Sequence, residues 1–97
     1  MIRHTVVFKL KHAARSAEEA EFLQSAMVLQ TIPGVRKFER LRQTSKKNEY
    51  DFGFSMEFDS PEAYELYNAH PAHVDFVQSR WVREVDQFME IDYEPYA

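Results

Sequence analysis

Hydrophobic and polar residues alternate from the start of the chain. Ile2, His4, Val6, Phe8 and Leu10 fall on one side of an extended segment, and Arg3, Thr5, Val7, Lys9 and Lys11 on the other. A period of two is that of a half-buried β-strand. Ser16 then precedes a helical pattern, with Glu19 three positions on. That is a capping box, in which each side chain satisfies a backbone N–H left free at a helix start. Behind it Phe22, Leu23, Ala26, Met27 and Gln30 share one helical face, Gln30 being its polar exception, and Pro33-Gly34 ends the helix. Val35 to Gln43 reads as a second strand, more charged and less regular, and Thr44 to Asn48 as a hairpin loop.

The clearest alternation follows. Tyr50, Phe52, Phe54, Met56 and Phe58 lie on one face, with Asp51, Gly53, Ser55 and Glu57 on the other. Ser60 is a natural N-cap, and Pro61 suits the first helical position, where its missing N–H costs nothing. Tyr64 and Tyr67 share a face of this second helix. His70-Pro71 breaks it, because a residue before proline avoids helical angles. A further helical segment carries Val74, Val77, Trp81 and Val82. A last strand runs from about Gln87 to Glu94 with Met89, Ile91 and Tyr93 on one side.

The order βαββαβ predicts an α+β, ferredoxin-like fold. It has a four-stranded antiparallel sheet with helices on one face, in a single domain over residues 1–97. The other face of so aromatic a sheet calls for cover, which points to a homodimer with two sheets packed together.

Composition narrows the function classes. The net charge is −4 with both signs mixed along the chain, so no basic patch invites nucleic acid. No apolar run has the length of a membrane span, and Arg3, His4, Lys9 and Lys11 interrupt the N-terminal segment. The expected location is cytoplasmic. The absence of Cys removes disulfides, thiol catalysis and thiolate zinc sites. With only Gly34 and Gly53, the chain has no glycine-rich phosphate loop. No cofactor is called for.

Candidate chemistry concentrates in Tyr67 to Phe76, "YNAHPAHVDF". His73 can take up and return a proton near neutral pH. Tyr67 carries an O–H that can stabilise a developing oxyanion. The break at Pro71 can turn His73 back toward Tyr67; the commoner alternative is that both are boundary residues with satisfied polar tips. His70 and His73 have a chelating spacing, but Pro71 sets His70 outside the helix and no third ligand has a local signature, so no metal is expected. His70 reads instead as a corner residue bonded to backbone. His4 breaks an apolar strand face and is either a pocket residue or a strand-end histidine with a bonded ring. The row of Tyr50, Phe52, Phe54 and Phe58 is either core or the lining of an apolar pocket.

"IRHTVVFKLK", the "IPGV" turn, "FDSPEAYELYNAHPAHVDF" and the closing "IDYEP" together resemble the stress-responsive α/β-barrel (Dabb) family across essentially the whole chain. The resemblance implies a ferredoxin-like protomer paired with a second copy as a dimeric barrel. It implies a small protein of uncertain activity with an apolar small-molecule pocket. The family also includes a polyketide cyclase whose catalytic tyrosine and histidine fall on Tyr67 and His73. Its pocket histidine falls on His4 and its second corner histidine on His70. That likeness implies an intramolecular aldol condensation with His4 and Phe54 lining the pocket. Asn68 and Ala69 replace apolar, branched positions of the cyclase next to Tyr67, and Met27 and Val28 stand near where it has pocket aromatic residues. A cofactor-free monooxygenase is a further expectation, by analogy with a neighbouring family that shares the dimeric barrel.

Overall fold

The computed structural model describes the whole chain, Met1 to Ala97. Strand β1 (Ile2–Leu10) obeys its alternation, burying His4, Val6, Phe8 and Leu10 and leaving the intervening residues at least partly exposed. Helix α1 (Ala17–Ser25) starts at the capping box. The Ser16 hydroxyl accepts the Glu19 N–H at 3.2 Å, and the Glu19 carboxylate accepts the N–H of Arg15 at 3.2 Å. The box closes one residue early because the Ser16 N–H is already bonded to the Ala13 carbonyl.

The α-helical pitch ends sooner than Pro33. Residues Ala26–Thr31 tighten into a 3₁₀ helix, whose period of three changes the inward face. Phe22, Ala26, Leu29 and Ile32 are buried, while Gln30 is exposed. Gly34, at φ 91°, turns the chain into strand β2 (Arg36–Arg42). A bulge interrupts that strand: Lys37 has φ 52°, and the pairing slips between Arg36 and Glu39.

Strand β3 (Phe52–Phe58) buries Phe52, Phe54, Met56 and Phe58. It begins at Phe52 and not at Tyr50. The connecting loop is longer than Thr44 to Asn48, since the Gln43 N–H bonds the Asp51 carbonyl at 2.9 Å and the Asp51 N–H bonds the Phe8 carbonyl at 3.0 Å. Ser60 caps helix α2 (Pro61–Ala69) by accepting the Ala63 N–H at 3.2 Å. Helix α3 (Pro71–Phe76) follows the break. A π turn at Val77–Trp81 and a final helical turn, α4 (Val82–Glu84), lead into strand β4 (Val85–Tyr93).

The sheet is antiparallel throughout, in the order β2-β3-β1-β4. It is open, with β2 and β4 at its edges. The helices cover one face and enclose an aromatic core around Phe8. Its ring centroid lies 4.7 Å from that of Phe54, 5.0 Å from Trp81 and 5.9 Å from Phe22. The aromatic row of β3 is therefore covered by the chain's own helices and not by a partner. The uncovered face carries Val7, Leu41, Met89, Ile91 and Tyr93 among Arg3, Thr5, Ser55 and Glu57. No helix is long and apolar enough to cross a membrane.

Candidate active site

The break between α2 and α3 is built from hydrogen bonds that Pro71 redirects. In an unbroken helix the Asn68 carbonyl would accept the N–H of Ala72, four residues on. Here the Ala72 N–H donates instead to Nδ1 of His70 at 3.1 Å, so the His70 ring caps α3. The freed Asn68 carbonyl accepts the N–H of His73 Nδ1 at 3.0 Å. Pro71 thus leaves one carbonyl unclaimed, His70 keeps it unclaimed, and His73 uses it.

This arrangement turns the His73 ring onto Tyr67, with centroids 4.5 Å apart. Because the carbonyl can only accept, the proton of neutral His73 sits on Nδ1, and Nε2 carries the basic lone pair. Burial pulls the His73 pKa below the ordinary histidine value, partly offset by the bond to Asn68, which favours the neutral base at pH 7. Tyr67 is 2% exposed and packs on Phe58 at 5.1 Å. Burial pushes its phenol upward, so it is a hydrogen-bond donor at neutral pH. Its hydroxyl has no hydrogen-bond partner within the chain, though it lines a cavity.

That cavity, of about 460 Å³, lies between the sheet and the helices, and 11 of its 15 lining residues are hydrophobic. Leu29, Phe54, Phe76 and Trp81 form much of the apolar wall. Tyr67, His73 and His4 face it, so three of the five sequence candidates meet there with Phe54 as a fourth. His70 is not on the wall; it sits at the corner and holds the neighbouring segment.

The His4 ring is tethered by hydrogen bonds and also lines the cavity. Its Nδ1–H donates to Asp92 Oδ1 at 2.6 Å, and the Tyr64 hydroxyl donates to Asp92 Oδ2 at 2.9 Å while lying 2.9 Å from His4 Nδ1. Burial, followed by the bond to Asp92, raises the Tyr64 phenol. Tyr67 therefore stands between two histidines, 6.2 Å from the His4 ring, each anchored through Nδ1. No group of three or more His, Asp or Glu side chains is placed to hold a metal ion.

Sequence reading overlooked the part β4 plays. Its helix-facing residues are Phe88, Glu90 and Asp92, paired with Phe8, Val6 and His4. Met89, Ile91 and Tyr93 turn to the open side. Alternation alone identified the two faces of this strand but not which one turned inward. Asp92 and Glu90 reach the site only through this pairing, and Trp81 reaches it by packing on Phe8.

A family model described as Stress responsive A/B Barrel Domain matches residues 2–95. The olivetolic acid cyclase of Cannabis sativa is 27% identical over 101 residues, covering 97% of this chain and 96% of the cyclase. A Dabb family protein with a ferredoxin-like fold from Mesorhizobium loti superposes with a TM-score of 0.97 at 58% identity, covering 99% of this chain and 97% of that one. A dimeric ferredoxin-like protein from Thermobifida fusca shares the fold, with a TM-score of 0.78 at 16% identity, covering 95% of this chain and 88% of that one.

Proposed function

This chain belongs to the stress-responsive A/B barrel domain family, and we propose that it is an enzyme acting through an enolate on an apolar carbonyl compound. The observation that carries the reading is the pairing of an unpartnered Tyr67 hydroxyl with the His73 ring on the wall of an apolar cavity. Nε2 of His73 removes a proton from a carbon flanked by two carbonyls. The Tyr67 hydroxyl donates to the carbonyl oxygen that becomes the enolate. The enolate carbon attacks a ketone carbon farther along the same molecule and closes a ring. The proton on His73 passes to the new alkoxide, and loss of water completes an aldol condensation. The likeness to a plant polyketide cyclase supports this choice of reaction.

A linear poly-β-keto thioester with an alkyl tail is the test substrate, with ring formation followed by ultraviolet absorbance. Tyr67→Phe and His73→Ala are each expected to lower kcat about 100-fold. If wild-type protein binds the thioester but forms no ring, the enolate reading is wrong.

In that event the second reading applies, a binding protein without catalysis. The largely apolar wall supports it. We also propose that two copies pair through the open sheet face, where Val7, Leu41, Met89, Ile91 and Tyr93 are left without cover. The Thermobifida fusca protein of the same fold is dimeric, which supports pairing.

A further inference from the structure

The cavity has an apolar body but an unbalanced polar rim. Glu90 and Asp86, both on β4, line it, and no lysine or arginine does. Glu90 pairs in register with Val6, whose side chain is buried beneath the helices, so the carboxylate shares that face. None of the chain's ion pairs includes Glu90 or Asp86; Arg3, Arg36, Lys37 and Arg80 pair with Glu57, Asp59, Glu21 or Glu84, and the remaining pairs are made by histidines. The charge of Glu90 is felt at Tyr67 and His73, the two groups on which the proposed chemistry depends.

We propose that Glu90, supported by Asp86, sets the ligand selectivity of this cavity. It admits neutral or amine-bearing apolar carbonyl compounds and turns away those carrying a carboxylate or sulfonate. This inference rests on reading the cavity as a ligand site. Two facing anions in a recess with apolar walls repel each other more strongly than in bulk water. At about 6 Å and an effective dielectric near 40, one such charge changes affinity about tenfold. A substrate therefore enters with its acid end masked as a ketone, ester or thioester. The same carboxylate favours the imidazolium that forms when His73 accepts a proton, so selectivity and proton transfer draw on one charge.

Two fluorescent probes with the same ring skeleton separate the charge from the apolar contact. N-phenyl-1-naphthylamine is neutral, and 1-anilinonaphthalene-8-sulfonate carries one negative charge. At low salt the wild-type protein is expected to bind the neutral probe about tenfold more tightly. Glu90→Gln should narrow that gap several-fold by strengthening the anion alone, and Asp86→Asn should act in the same direction. Val82→Trp, at an exposed lining position, should weaken both probes by narrowing the cavity. Equal affinities in the wild type, a gap unchanged in Glu90→Gln, or binding untouched by Val82→Trp would each overturn the inference. The titration reads binding and not turnover. If the gap closes in Glu90→Gln while no thioester is cyclised, the catalytic reading fails and this one stands. If neither probe binds, this inference fails, and the thioester assay alone decides the catalytic reading.

Discussion

Tyr67 and His73 bear differently on stability and activity. The Tyr67 hydroxyl has no protein partner to orphan, so Tyr67→Phe should change stability by less than about 0.5 kcal/mol while removing the oxyanion donor. Denaturant unfolding of the variant checks the first part, and its kcat the second. A combined loss of stability and activity would assign the phenol a structural role.

His73 predicts a pH dependence. Its folded pKa lies below the unfolded value of about 6.5, so the unfolded chain binds the proton more readily. The stability associated with neutral His73 is present above about pH 6.5 and is lost as pH falls from there toward the folded pKa. His73→Gln should flatten that part of the stability curve, measured by denaturant unfolding between about pH 7.5 and pH 5. In the wild type the acidic limb of kcat/KM should have its midpoint below about 6.5, because the base stays neutral to lower pH.

Among the elements, the corner between α2 and α3 has the most to test. His70 caps α3 by accepting the Ala72 N–H, and this leaves the Asn68 carbonyl to His73. His70→Ala should cost about 1 kcal/mol in cap energy. It should also slow turnover, because the freed Ala72 N–H can compete for the carbonyl that orients His73. His70→Asn, which keeps a capping acceptor, should restore most of both. The histidine Nδ1 proton of His73, followed by NMR, distinguishes the two effects: it should shift or broaden in His70→Ala and recover in His70→Asn. Turnover unaffected by His70→Ala would mean that the cap does not position the base.

The fold as a whole depends on one aromatic cluster and leaves one sheet face open. Phe8 is fully buried among Phe22, Phe52, Phe54 and Trp81. Phe8→Ala should cost about 3–5 kcal/mol, a large share of the roughly 5–15 kcal/mol available to a small protein. The measurement is the denaturation midpoint, which should fall sharply or disappear. On the open face, Ile91→Asp should convert a dimer to monomers in sedimentation at micromolar concentration by placing a charge in an apolar contact. A wild-type chain that sediments only as monomer would refute the proposed pairing.

Much of this molecule could be read from local chemistry. Alternation located β1 and β3, Ser16 and Ser60 marked helix starts, and Pro71 marked the break. Those features depend on neighbours within a few positions, where sequence distance and spatial distance nearly coincide. The approach of His73 to Tyr67 was legible for the same reason: six residues and one proline separate them.

Tertiary structure decided the rest. The 3₁₀ tightening after Ser25 exchanged Leu29 for Met27 in the core because packing against the sheet outweighed helical continuity. The inward face of β4 was set by its register with β1, which brings Asp92 to His4 across 88 residues of sequence and places Glu90 in the cavity. No local pattern records a partner so far away. Local propensity and capping settled which elements form and where the helices start, since both act at short range. The cavity, its charged rim and the anchors of His4 came only with the assembled sheet, because each needs strands from both ends of the chain.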